Sequence, residues 1–173
     1  MRAIPLTVTV LAAALALTAC DDGGSSGSSK PKAGSACAIG SVSVEVGSAS
    51  VAPAAGDSGE VPVSITNQSA PCTLDHFPSV TLGQEGRTAK LAVQQGAQAQ
   101  KLKLAKGDSA GFTVAYVRGK DGDAKALNAT SMSITLPGGG ASQSFPWKYG
   151  PVAGKGGRSD VDASVSAFQQ AGD

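Results

Sequence analysis

The sequence predicts an all-β fold: an antiparallel β-sandwich, Ig-like in size, held by one disulfide. Three observations predict it. Short runs with apolar residues at every second position recur from residue 41 to residue 168. Gly, Pro, Asn and Asp break these runs roughly every ten residues, the spacing of sandwiches and barrels. Ten-residue windows with a helical apolar stripe are missing, and residues 124–129 offer one helical turn at most.

The runs follow in order. Residues 41–46 (SVSVEV) place Val42, Val44 and Val46 on one face. Residues 60–67 (EVPVSITN) do the same with Val61, Val63 and Ile65. Pro62 within them calls for an edge, or for a position facing away from a ladder partner. Strands are then expected over 79–83, 88–94 and 98–104. Residues 111–117 (GFTVAYV) alternate Phe112, Val114 and Tyr116 with smaller residues, and 131–136 (SMSITL) alternate Met132, Ile134 and Leu136. Strands over 143–148 and 161–168 complete the set, with a mobile loop expected over 150–157 between them.

The N-terminus reads as an address. Arg2 and the terminal amine precede an apolar stretch, Leu6 to Leu17. This has the length of a signal-peptide core and falls short of the ~20 residues that span a bilayer. Leu17-Thr18-Ala19-Cys20 resembles the lipobox of bacterial lipoproteins. That resemblance implies cleavage after residue 19, a diacylglyceryl group on the Cys20 sulfur and a place on the extracytoplasmic face of the membrane. A lipidated Cys20 also escapes the liability of an exposed thiol in an oxidising compartment. The Gly/Ser-rich segment after it is expected to be a flexible tether over residues 20–35, with a reach of about 20 Å. The domain is then expected over 36–169, with residues 170–173 frayed.

Removal of residues 1–19 leaves 154 residues and takes only Arg2 from the fourteen basic ones, so thirteen basic side chains face thirteen acidic ones. Near neutrality argues against nucleic-acid binding, which needs a basic stripe, and against a polybasic membrane-surface protein. Charged residues make up 16% of the chain and aromatic ones 4%. The core must therefore come from small and β-branched side chains. Two cysteines remain, Cys37 and Cys72. In an exported chain they read as one disulfide, worth about 4 kcal/mol for a loop of ~36 residues.

Candidates for chemistry are few. His76 is the sole histidine and cannot build a His-rich metal site. In Asp75-His76-Phe77-Pro78 it reads as a solvated turn residue. Asp121-Gly122-Asp123 lacks the further ligands of a calcium loop and reads as a turn. Pro137-Gly138-Gly139-Gly140 is not followed by the Lys-Ser/Thr and helix of a phosphate loop. Asn67-Gln68-Ser69 and Asn128-Ala129-Thr130 match a glycosylation pattern of no expected consequence in a bacterial lipoprotein. Phe145, Trp147 and Tyr149 alternate along one strand and share a face. They read either as large core residues or as a strip that binds a sugar or peptide, and they are the candidate binding residues.

Asn67 to Leu74 (NQSAPCTL), followed by Phe77-Pro78-Ser79-Val80, is similar to a domain-of-unknown-function family of secreted lipoproteins from high-GC Gram-positive (actinobacterial-type) bacteria. Members carry an early cysteine, an asparagine turn and a Cys-Thr-Leu-x-Gly-aromatic-Pro-x-Val segment. Here Cys37, Cys72, Thr73, Leu74, Phe77, Pro78 and Val80 match, and His76 stands in place of the usual glycine. Leu104-Ala105-Lys106-Gly107 stands where members have a Leu-x-Pro-Gly turn. The resemblance spans about residues 35–168. It implies a tethered Ig-like sandwich with a Cys37–Cys72 bridge and brings no catalytic residues.

The reading that follows is a monomeric, non-enzymatic binding module without cofactor or metal. Its partner is expected to be an envelope protein or a cell-wall glycan. The alternatives are a passive envelope lipoprotein without a ligand, and a hydrolase built on two of Glu45, Glu60, Asp75 and Asp108.

Overall fold

The computed structural model describes residues 34–157 and 159–171. The expected signal segment, the expected lipidation site Cys20 and nearly all of the expected tether lie outside them. Thirteen short strands make up the described domain, and none of its residues is helical. They are β1 (Ser35–Ala36), β2 (Val42–Val46), β3 (Ser58–Asn67), β4 (Cys72–Leu74), β5 (Ser79–Gln84), β6 (Arg87–Lys90) and β7 (Ala92–Val93). Then come β8 (Leu102–Leu104), β9 (Ser109–Val117), β10 (Ser131–Thr135), β11 (Ser142–Pro146), β12 (Ala163–Val165) and β13 (Gln169–Gln170).

The large sheet runs β2-β3-β9-β12-β7, with β13 also on β9. A four-stranded sheet runs β11-β10-β5-β6, and a three-stranded one runs β1-β4-β8. Alternation does the folding. In β3, Val61, Val63 and Ile65 are buried while Glu60, Pro62 and Ser64 are exposed. In β9 the buried set is Ala110, Phe112, Val114 and Tyr116. Val80 and Leu82 of β5 and Met132 and Ile134 of β10 bring their buried faces to the same core cluster. At ~25 cal/mol per Å², each fully buried aliphatic contributes about 2 kcal/mol.

The Cys37–Cys72 disulfide forms, with Cα atoms 5.0 Å apart. It lies at the point where the chain enters the domain, one residue after β1. Ordered pairing begins earlier than residue 36, since Gly34 donates to the Pro71 carbonyl at 2.8 Å. It also runs past residue 169: Gln170 pairs with Ala110, and Ala171 donates to Ser109.

Several expected elements differ from the observed ones, each for a tertiary reason. The stretch 88–94 is not one strand. It leaves β5 after Leu91, whose amide still donates to Val80, and joins β12 as β7, where Gln94 donates to Val165. Because it changes sheets, β7 runs parallel to β12. The β1–β4 pair is also parallel, so the sandwich is antiparallel except at these two-residue pairs. The last strand splits into β12 and β13 around a break at Ser166, whose Oγ accepts the Thr113 amide at 2.9 Å. Of the stretch 98–104, only β8 is strand.

Residues 150–157 are not a loose loop. Val152 is fully buried and exchanges backbone hydrogen bonds with Leu127 at 2.8 and 2.9 Å. A Cβ on Gly154 would overlap the Lys125 carbonyl. Residues 123–126 form a turn closed by Ala126 donating to Asp123 at 3.0 Å, and no helical turn follows. Pro62 sits inside β3, between β2 and β9. Its missing N–H is tolerated because β2 ends opposite it. The pairing steps from Val46↔Val63 to Ser50↔Glu60, so three residues face two in a bulge.

Candidate ligand-binding surface

Phe145, Trp147 and Tyr149 do share one face, and it is the core face. Trp147 is 5% exposed, and Phe145 and Tyr149 are half-buried against the same core. Trp147 meets Tyr149 edge-on at 4.9 Å and Tyr116 at 5.1 Å between ring centroids. Its indole N–H donates to the Gly150 carbonyl at 2.7 Å. The Tyr116 hydroxyl accepts the Ala52 amide and donates to the Tyr149 carbonyl. Burial, with Tyr116 nearby, raises the Tyr149 phenol above its ordinary value of 10.0. These rings are pinned by packing and hydrogen bonds and do not form an open strip. Of the two readings open for these residues, burial favours the core one: in a chain this poor in aromatics the large rings are needed inside.

The outward face of the large sheet offers a groove instead. Glu45, Ser64, Gly111 and Gln169 lie opposite one another across β2, β3, β9 and β13. All four point away from the core, because their neighbours Val44, Val63, Ala110 and Phe168 are buried. Gly111 has no side chain, so the row dips at its centre. The groove encloses about 440 Å³, with Pro62, Thr113 and Gln170 at its border. Glu45 forms none of the ion pairs among the described residues. A smaller groove of about 210 Å³ lies along the same sheet and includes Glu60 and Asp162. Asp162 is held there by Lys155 at 3.0 Å. Glu45 and Glu60 thus line different grooves, and Asp75 and Asp108 line neither.

The other candidates have structural roles. Asp123 Oδ1 accepts the Lys125 amide at 2.9 Å, which makes Asp121–Asp123 an Asx-stabilised turn. Gly138 packs on the disulfide, where a Cβ would come 2.6 Å from the Cys37 carbonyl oxygen. Arg87 borders a further groove of about 460 Å³, and its guanidinium donates to the Ala126 and Lys125 carbonyls. His76 has φ +67°, the one positive value among the described non-glycine residues. It is exposed beside Asp75, which accepts its amide at 2.9 Å.

Asn67, half of a glycosylation pattern in the sequence, is fully buried. Its Nδ2 donates to the carbonyls of Ala70, Leu104 and Ala105 at 3.0–3.2 Å, and its Oδ1 accepts the Ser69 amide. It is a lock between the β3–β4 and β8–β9 connections, unavailable to a sugar.

A family model described as "Domain of unknown function (DUF4232)" matches residues 37–169. The chain belongs to the DUF4232 family. No curated protein and no solved structure matches it. The match begins at one disulfide cysteine and ends at Gln169 in the groove, so it takes in the crosslink and every strand except β1 and the last residue of β13.

Proposed function

We propose that this DUF4232 domain is a lipid-anchored, extracytoplasmic binding module, non-enzymatic, whose ligand is a cell-wall glycan. The groove over Gly111 carries the reading. Its rim presents a carboxylate (Glu45), two carboxamides (Gln169 and Gln170) and two hydroxyls (Ser64 and Thr113). Sugar hydroxyls both donate and accept, and this set answers both needs. The volume lies within the usual range for small-ligand sites. Rigid strands hold these side chains in place, which limits the ordering entropy lost on binding.

The test is retention of purified cell-wall glycan by the folded protein. A Ser64→Tyr variant fills the groove from an exposed position and leaves the core untouched. Binding by the parent and at least a ten-fold loss in the variant is the expected result. Equal recovery by the parent, Ser64→Tyr and an unfolded control overturns the glycan reading and favours a passive envelope role.

A further inference from the structure

We propose that a basic patch beside the tether entry turns the anchored domain so that its three-stranded sheet faces an anionic lipid surface. The inference rests on the anchored reading above. Ala36, Thr73 and Lys103 lie opposite one another across β1, β4 and β8. Neighbouring strands are about 4.8 Å apart, so the tether enters about 10 Å from the Lys103 backbone. Lys101 and Lys103 are exposed and alternate with buried Leu102 and Leu104, so both project from the same face. Lys106 is exposed in the next turn.

Lys101 is paired with Asp75 at 3.6 Å, whereas Lys103 and Lys106 form no ion pair among the described residues. Asp108, the other carboxylate here, accepts the Ala105 amide inside the turn. Three lysines against two carboxylates leave a small positive excess. The outward face of the large sheet has the opposite sign: among the described residues, Glu45, Glu60 and Asp162 stand there against Lys155. At the far end of β9, Lys120, Lys125, Arg118 and Arg87 stand among Asp57, Asp121 and Asp123. The lysine patch is therefore set apart by its place beside the tether entry, and by the opposite sign of the large sheet's outward face.

A small excess is enough because the lipid anchor supplies the attachment and the patch has only to bias orientation. Each lysine close to an anionic leaflet contributes about a five-fold factor. That attraction decays within about 8 Å at physiological salt. Thirteen residues separate Cys20 from Gly34, chain enough for the patch to come that close to the lipid.

The test uses residues 20–173 with the disulfide intact, where Cys20 is the one cysteine outside the bridge. Coupling Cys20 to a maleimide lipid in nanodiscs makes the result independent of acylation in the cell. Gadolinium-chelating headgroups then broaden the amide resonances that approach the bilayer. Discs of phosphatidylcholine alone are compared with discs containing phosphatidylglycerol. Added phosphatidylglycerol is expected to increase broadening several-fold at Thr73, Lys103 and Lys106 relative to Lys120. The increase should vanish in the triple variant Lys101→Gln, Lys103→Gln, Lys106→Gln, whose spectrum also verifies its fold, and in about 1 M salt. The same broadening pattern on both lipids, or an unchanged increase in the triple variant, overturns the proposal. Because anchoring is imposed chemically, neither result depends on the lipobox or on glycan binding.

Discussion

At the scale of single residues, His76 shows what local sequence rules miss. Its backbone is in the left-handed region, at φ +67°. That conformation costs an ordinary L-residue roughly 1–2 kcal/mol and glycine almost nothing. Glycine is the residue that takes this conformation without strain. His76→Gly is expected to raise stability by about 0.5–1 kcal/mol, the strain relieved less the entropy that glycine adds to the unfolded chain. Urea unfolding followed by Trp147 fluorescence reads it, and a lower midpoint would show that the imidazole does more than occupy a turn. The aromatic residues teach a related lesson. Alternation with Ser144, Pro146 and Lys148 sets Phe145, Trp147 and Tyr149 on one face, but it does not tell a packed ring from one lining an open site; burial and the Trp147 hydrogen bond do.

At the scale of elements, the strands with clear period-two patterns were legible: β2, β3, β5, β9 and β10 lie where their apolar residues put them. β1 and β4 were not, because two- and three-residue strands have too little length to show a period. Between elements, Asn67 does what no strand does. Its amide group holds three carbonyls and one amide from two connections at once. Asn67→Ala would remove these bonds at once, taking the side-chain partner from the Ser69 amide and from the Ala70 and Leu104 carbonyls while the Ala105 carbonyl keeps the Asp108 amide, and a loss of about 3 kcal/mol is expected. Denaturant unfolding measures the loss, and hydrogen exchange should show it concentrated at residues 67–72 and 104–108. A uniform rise in exchange across the sandwich would contradict the lock.

At the scale of the whole molecule, the disulfide closes the loop from Cys37 to Cys72 right after the first strand. The cross-link limits the unfolded chain far more than it adds native contacts. Replacing both cysteines by serine is expected to cost about 4 kcal/mol. The comparison is the oxidised parent against the double variant in guanidinium. A difference under about 1 kcal/mol would mean that the sheets hold this corner without help. The groove also belongs to this scale. Its row of Glu45, Ser64, Gly111 and Gln169 draws on four strands spread over 125 residues of sequence.

Composition and local pattern by themselves determined the class of fold, the order of most strands and the pairing of two cysteines. Alternation, turn residues and covalent arithmetic act within a few residues or leave a single choice, so they can be read along the chain. Only the tertiary structure decided which faces turn inward, where the strand from Arg87 to Val93 changes sheets, why Pro62 is tolerated and which residues meet over Gly111. Those outcomes depend on register between strands far apart in sequence. A shift of one residue exchanges every buried side chain for an exposed one, and the whole core settles that choice together.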